Sequence, residues 1–207
     1  MVTRMRDGVE EDTLLLLEHP HVFTLGKAAK PDHVLWDEAE RGRRGVEVIP
    51  VDRGGEATYH GPGQLVGYPI LDLARLGIGI RDYIDRLERS LIAYLSELGI
   101  ASEPGAPGLT GVWSDGMKLA AIGVKLNRSV VSHGFALNLT SDLDYFTGIV
   151  PCGHAELHPT SVEALTGRHV GTAAAARAYA PHFARAFDVE IEWTAAEPLR
   201  PSTPLPA

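Results

Sequence analysis

The sequence predicts an α+β fold: a mixed, largely antiparallel sheet flanked by helices. Three observations carry this. Short β-prone apolar runs occupy residues 14–17, 22–25, 46–51 and 64–73, each too short for a helix. A long amphipathic stripe then covers residues 80–98. Three more strand-like runs, at 111–113, 118–126 and 130–139, precede a second helical pattern at 173–187. Strands grouped with strands, rather than alternating one by one with helices, point to α+β and not to a doubly wound sheet.

Taken in order, residues 1–12 are polar and charged and show no element. Four leucines, Leu14 to Leu17, suit a strand covered on both faces. Glu18-His19-Pro20-His21 breaks it, and Val22-Phe23-Thr24-Leu25 reads as a second strand ending at Gly26. Residues 27–45 are polar, with a short helix expected near 37–41; Arg41, Arg43 and Arg44 there form the densest basic cluster and read as a solvated turn. The 46–51 strand feeds straight into residues 53–69, RGGEATYHGPGQLVGYP.

That stretch is too rich in special residues for an ordinary turn. Gly54 and Gly55 permit positive φ and close approach. Pro62 fixes φ and removes a donor, so His60-Gly61-Pro62-Gly63 is neither mid-helix nor central strand. Arg53, Thr58, Tyr59, His60 and Gln64 on one constrained loop favour a binding surface over a polar turn tip.

The 80–98 helix rests on Ile80, Tyr83, Ile84, Leu87, Leu91, Leu95 and Leu98 at three- and four-residue steps, with Arg81, Asp85, Arg86, Glu88 and Arg89 off that stripe and Gly99 as the stop. Ser114-Asp115-Gly116 predicts a hairpin between the next two strands. Thr160 and Glu163 have the spacing of a capping box for a short helix ended by Gly167. The last helix places Ala176, Tyr179, Ala180, Phe183 and Phe187 on one face, and 189–193 reads as a final strand. A single domain over 1–196 and a proline-rich, disordered tail at 197–207 complete the organisation.

Composition excludes several functions. Among 207 residues, 44% are apolar, and no run approaches the roughly 18 residues that span a bilayer. A formal charge of −8 argues against broad nucleic-acid binding. The N-terminus lacks a signal-peptide pattern. One cysteine, Cys152, allows no intrachain disulfide and fits a reducing cytoplasm. Nine histidines without ligand spacing give no metal site, and the absence of a P-loop or GxGxxG gives no cofactor. A monomer is the default expectation.

Chemistry centres on Cys152, between Pro151 and Gly153. A lone cysteine is more often a small buried hydrophobe than a nucleophile. As a nucleophile it needs a neighbouring cation or base, because only the thiolate attacks; Lys118, His60, His133 and His154 are the candidates. His133 lies inside a strand pattern that continues through Gly134, which implies a bulge or close backbone approach. Small residues recur on two strands, at Ala121-Ile122-Gly123 and Gly134-Phe135-Ala136. They leave room either for an elongated apolar ligand or for close helix packing.

Several segments together resemble the lipoyl(octanoyl) transferases. They are Glu18-His19-Pro20 with Phe23-Thr24-Leu25-Gly26, RGGEATYHGPGQLVGYP, GVWSDGMKLAAIGVKL, SHGFALNL, and VPCG with Thr160-Ser161. The resemblance runs from about residue 14 to 165. It implies the fold of the biotin and lipoate ligase catalytic domains. It implies an acyltransferase of lipoate biosynthesis that takes an octanoyl group from octanoyl-acyl carrier protein. The acceptor is a lysine on lipoyl domains of 2-oxoacid dehydrogenase complexes or on the glycine cleavage H protein. Cys152 would carry the acyl group as a thioester, with Lys118 lowering the thiol pKa and serving as acid and base. Arg53, Gly54, Gly55, Glu56, Ala57, Thr58, Tyr59 and His60 match segments that line the acyl pocket in the family, as do Ala121, Ile122, Gly123, Gly134, Phe135 and Ala136. In one respect the chain departs from the family. Members carry a helix with a tyrosine and a glutamine ahead of the first strand, and residues 1–12 offer no counterpart. The departure bears on packing over one side of the sheet, not on the site.

Overall fold

A computed structural model describes residues 11–150 and 158–194. Among the described residues, nine strands form two sheets rather than one. The elements run β1 (Thr13–Leu17), β2 (Val22–Leu25), α1 (Glu38–Arg44), β3 (Glu47–Pro50), β4 (Ala57–His60) and β5 (Gln64–Asp72). Then follow α2 (Ile80–Glu97), β6 (Glu103–Pro104), β7 (Gly111–Ser114), β8 (Met117–Asn127), β9 (Val130–Asn138), α3 (Val162–Thr166) and α4 (Thr172–Phe187). The large sheet has the order β1-β5-β9-β8-β7-β6 and is antiparallel throughout. The small sheet, β3-β2-β4, is mixed: β2 runs parallel to β3 and antiparallel to β4. The α+β expectation holds, and the mixed pairing is confined to the small sheet.

α2 and α4 cover one face of the large sheet. Leu87, Leu91 and Leu95 of α2, with Tyr179, Phe183 and Phe187 of α4, are buried against Leu65 and Leu71 of β5 and Phe135 and Leu137 of β9. The strand residues are odd-numbered, so alternation sends their even neighbours to the opposite face. A second cluster, Phe23, Val46, Ala57, Tyr59 and Ile149, fills the small sheet.

Six local readings are corrected. β1 is a half-buried edge strand, not one covered on both faces, because it pairs only with β5. β4 forms within the glycine-rich stretch read as a loop; its alternation is masked by the glycines around it. Glu88 is buried, since its carboxylate accepts the Gly111 backbone N–H at 2.9 Å across the helix–sheet interface. The cap of α3 is Ser161, whose Oγ accepts from Ala164 N at 3.1 Å, while the Thr160 carbonyl binds Asn138. Residues 189–193 form no strand. The basic cluster is helical: Arg44 pairs with Glu40 and Asp144, with its guanidinium 4.2 Å from the Trp36 ring centroid.

β5 carries a proline although strands flank it on both sides. The ladder to β9 opens between the pairs Gly67↔Phe135 and Leu71↔Val131, so the missing Pro69 N–H breaks nothing. Opposite it, His133 adopts φ 59°, a left-handed geometry rare outside glycine.

Candidate active site

Between the two sheets lies a cavity of about 240 Å³. Its walls bring together Arg53, Gly54, Gly55, Glu56, Ala57, Thr58 and His60 with Lys118, Ala121, Ile122, Gly123, Gly134, Phe135 and Ala136. Of the residues singled out from sequence, Ile122 and Phe135 border the cavity while their side chains belong to the helix-side cluster, and Tyr59 and Gln64 are not among its walls. Tyr59 points to the other side of β4, fully buried in the small-sheet cluster, with its hydroxyl 2.9 Å from His21 Nδ1. Cys152, like His154, lies outside the described residues.

Arg53 anchors the loop. It is 8% exposed and donates from Nη2 to the Thr24 carbonyl at 2.9 Å and Thr24 Oγ1 at 3.0 Å. Gly54 N donates to the Val124 carbonyl at 2.9 Å, clamping the loop to the large sheet. The small residues now have a physical reason. A Cβ on Gly123 would lie 3.2 Å from Arg53 Cδ, and one on Gly134 would lie 2.2 Å from the Gly67 carbonyl oxygen. The room they leave is taken by the Arg53 loop and by backbone, not by helices; Ala121 and Ala136, cross-strand partners, form the open wall.

Lys118 reaches the cavity because of a bulge. The β7–β8 register shifts at Val112/Trp113, leaving Leu119 as the extra residue. Without it, alternation would send Lys118 to the helix face with Ala120 and Ile122. Its Nζ stands 5.1 Å from the Trp113 ring centroid, and beside the bulge Gly111 (φ 138°) passes close to the Ala120 carbonyl, where a Cβ would lie 2.4 Å from the oxygen. The Lys118 backbone holds the chain that re-enters after residue 157: its N–H donates to the His158 carbonyl, and its carbonyl accepts from Thr160 N, both at 2.9 Å. On the other side of 151–157, Val150 N donates to the His33 carbonyl at 2.9 Å.

His133, one of the candidate bases, and three polar groups without a role assigned from sequence, His19, Thr24 and Tyr68, complete the walls. His19 Nε2 and the Tyr68 hydroxyl are 2.7 Å apart. Asp52 accepts from Lys125 Nζ and from His133 Nε2 at 2.9 Å, and these two hydrogen bonds hold its carboxyl down at about 2. Burial lowers the pKa of His19 and pushes that of His60 down to about 4. The only signal for His19 and Tyr68 was their place inside matched segments; neither has a periodicity of its own. Among the described residues, no group of three or more His, Cys, Asp or Glu is arranged to hold a metal, and no helix is long and apolar enough to cross a membrane.

Residues 1–184 match the lipoyl protein ligase A/B catalytic domain family. The chain is 44% identical over 198 residues to an octanoyltransferase of Koribacter versatilis, covering 93% of this chain and 78% of the relative. It is 46% identical over 187 residues to that of Solibacter usitatus, covering 90% and 83%. Among solved structures, a lipoate-protein ligase A bound with ATP superposes with a TM-score of 0.74 at 15% identity, covering 91% of this chain and 77% of that one. The bipartite lipoate protein ligase of Thermoplasma acidophilum gives 0.72 at 15%, covering 91% and 76%. The structures share the fold, and the sequence match extends over nearly the whole chain: this protein belongs to the lipoyl protein ligase A/B catalytic-domain family.

Proposed function

We propose that the protein is an octanoyltransferase of lipoate biosynthesis, working by acyl transfer through Cys152. The observation that carries the reading is convergence. Residues of the Arg53–His60 stretch, of β8 (Lys118 and Ala121 to Gly123) and of β9 (Gly134 to Ala136) come from three separate places in the chain and wall one cavity. At about 240 Å³ it is smaller than the roughly 300–1,000 Å³ of ligand pockets in general, which favours a slender acyl chain. Relatives bearing the name octanoyltransferase, at 44–46% identity over most of the chain, point the same way.

The chemistry has two halves. The Lys118 ammonium stabilises the Cys152 thiolate, an opposite-charge effect on the thiol. The thiolate attacks the octanoyl thioester of acyl carrier protein, the carbonyl carbon–sulfur bond to the carrier breaks, and the departing thiol takes a proton from Lys118. A lipoyl-domain lysine amine then attacks the Cys152 thioester; neutral Lys118 takes the amine's proton as the cysteine leaves as thiolate. Exchange between thioesters is nearly thermoneutral and the final amide is downhill, so no nucleotide is required. The backbone grip of Lys118 on His158 and Thr160 ties the lysine to the chain segment that follows the cysteine.

The test is transfer of octanoyl from octanoyl-acyl carrier protein to a purified lipoyl domain without ATP. The proposal expects transfer by the wild type and none by Cys152→Ala. Transfer that needs ATP and free octanoate, and survives Cys152→Ala, would overturn it in favour of a ligase.

A further inference from the structure

Below the cavity floor runs a chain of side-chain amides whose orientation leaves one solution. Gln64 and Asn138 face each other across β5 and β9 as register partners. Asn138 Nδ2 donates to the Thr160 carbonyl at 2.9 Å, and Gln64 Nε2 donates to the Tyr59 carbonyl at 3.2 Å. A carbonyl only accepts, so each amide must turn its nitrogen toward it. Asn138 is then left with Oδ1 toward Gln64, where it accepts from Nε2 at 2.9 Å. Gln64 is left with Oε1 toward His60 Nδ1, at 2.8 Å. That oxygen cannot donate, so Nδ1 of His60 must carry the proton.

Two backbone carbonyls therefore set the tautomer of a buried histidine through two amides. With Nδ1 engaged below, Nε2 is the ring nitrogen left for the cavity that His60 lines. Burial disfavours a second proton, and the nearby Arg53 guanidinium adds positive charge against it; the Gln64 bond opposes them. An imidazole so placed is a poor resting place for a proton but a fixed, neutral acceptor.

We propose that His60 Nε2 accepts a hydrogen bond from the attacking amine of the acceptor lysine, aiming its lone pair at the thioester, with Gln64 and Asn138 as positioning residues. The inference rests on the transfer function above. An amine nitrogen gains positive charge as it attacks, so a neutral acceptor on its N–H is strengthened in the transition state. The first half-reaction brings no amine and has no such demand. Thr160, whose carbonyl starts the amide chain, also binds the Lys118 backbone, so the tautomer of His60 and the placement of Lys118 share one anchor.

Two measurements test this. The first is ¹⁵N NMR of histidine-labelled protein, with His60 assigned by its loss in His60→Phe. The expected result is a proton on Nδ1 and a bare Nε2 at neutral pH, and a tautomer mixture in Gln64→Met. A proton on Nε2, or an imidazolium at neutral pH, would overturn the proposal. The second separates the half-reactions: the rate of Cys152 acylation by octanoyl-acyl carrier protein, and the rate at which a lipoyl domain discharges the isolated acyl-enzyme. In His60→Phe the discharge should fall about 10- to 100-fold further than acylation does, the scale of one hydrogen bond to a charged group. His60→Gln, which offers an amide oxygen near the position of Nε2, should recover part of the loss. Equal slowing of both halves, or slowing of acylation alone, would overturn the amine assignment. If the wild type forms no acyl-enzyme, the transfer function itself fails and the amine assignment falls with it, while NMR still decides the tautomer.

Discussion

The two faces of the large sheet are built from the same three strands, yet they do opposite things. Toward the helices, β5, β8 and β9 present Leu65, Leu71, Leu119, Phe135 and Leu137, buried among the leucines and aromatics of α2 and α4. Toward the small sheet they present Gln64, Tyr68, Ala121, Gly123, Gly134, Ala136 and Asn138, which wall a cavity or sit beneath it. The first face is apolar and filled. The second is small, polar and held open by the Arg53 loop. Alternation along a strand thus divides stability from chemistry, and substitutions one residue apart should fall on different observables.

The largest expected effect on folding is Leu91→Ala. Leu91 is fully buried between helix and sheet, so removal should cost about 2–5 kcal/mol in denaturant unfolding, with activity per folded molecule unchanged. A loss of activity without loss of stability would break the division. Next is Arg53→Met, which removes the Thr24 anchors at 2.9 and 3.0 Å. It should cost about 1.5–3 kcal/mol and also abolish most transfer, since the loop that walls the cavity loses its hold. Gly123→Ala sharpens the contrast: its Cβ would press on Arg53 Cδ at 3.2 Å. Stability should fall by only about 1 kcal/mol, while KM for the octanoyl donor rises.

Asp52→Asn tests the rim. The carboxyl sits at about 2, below its ordinary 3.8, because of Lys125 and His133. A depressed acid adds stability above its unfolded value and loses it as pH falls through the folded one. The wild type should therefore exceed Asp52→Asn by a constant amount above about pH 4, and the gap should close between pH 4 and 2. With the Asp52 side chain 56% exposed, that gap should not exceed about 1 kcal/mol. Smallest is Tyr83→Phe. The Tyr83 hydroxyl is buried without a partner among the described residues, and burial raises its pKa. Its removal should leave Tm unchanged or slightly higher.

The helix face was legible in the sequence because a 3.6-residue period survives without knowledge of neighbours: Leu87, Leu91 and Leu95 announce themselves. The cavity face was legible only as matched segments. Nothing in the order of residues says that Leu119 bulges and turns Lys118 toward the cavity, since a bulge depends on the partner strand. Glu88 looked solvated because the Gly111 N–H it meets is 23 residues away. Tyr59 sat in a matched block, yet pleating within a strand hidden by glycines sends it away from the cavity. The His60 tautomer depends on two carbonyls, one of them 100 residues distant, and no local pattern encodes it.

The central claim, a covalent octanoyl group on Cys152 activated by Lys118, is tested most directly by intact-protein mass spectrometry after mixing with octanoyl-acyl carrier protein. The account predicts one octanoyl adduct on the wild type, removed by hydroxylamine and absent in Cys152→Ser. In Lys118→Ala the adduct should form more slowly and recover as pH rises, because the thiol must then ionise without its cation. An intact donor and no adduct on the wild type, or an adduct that persists in Cys152→Ser, would contradict it.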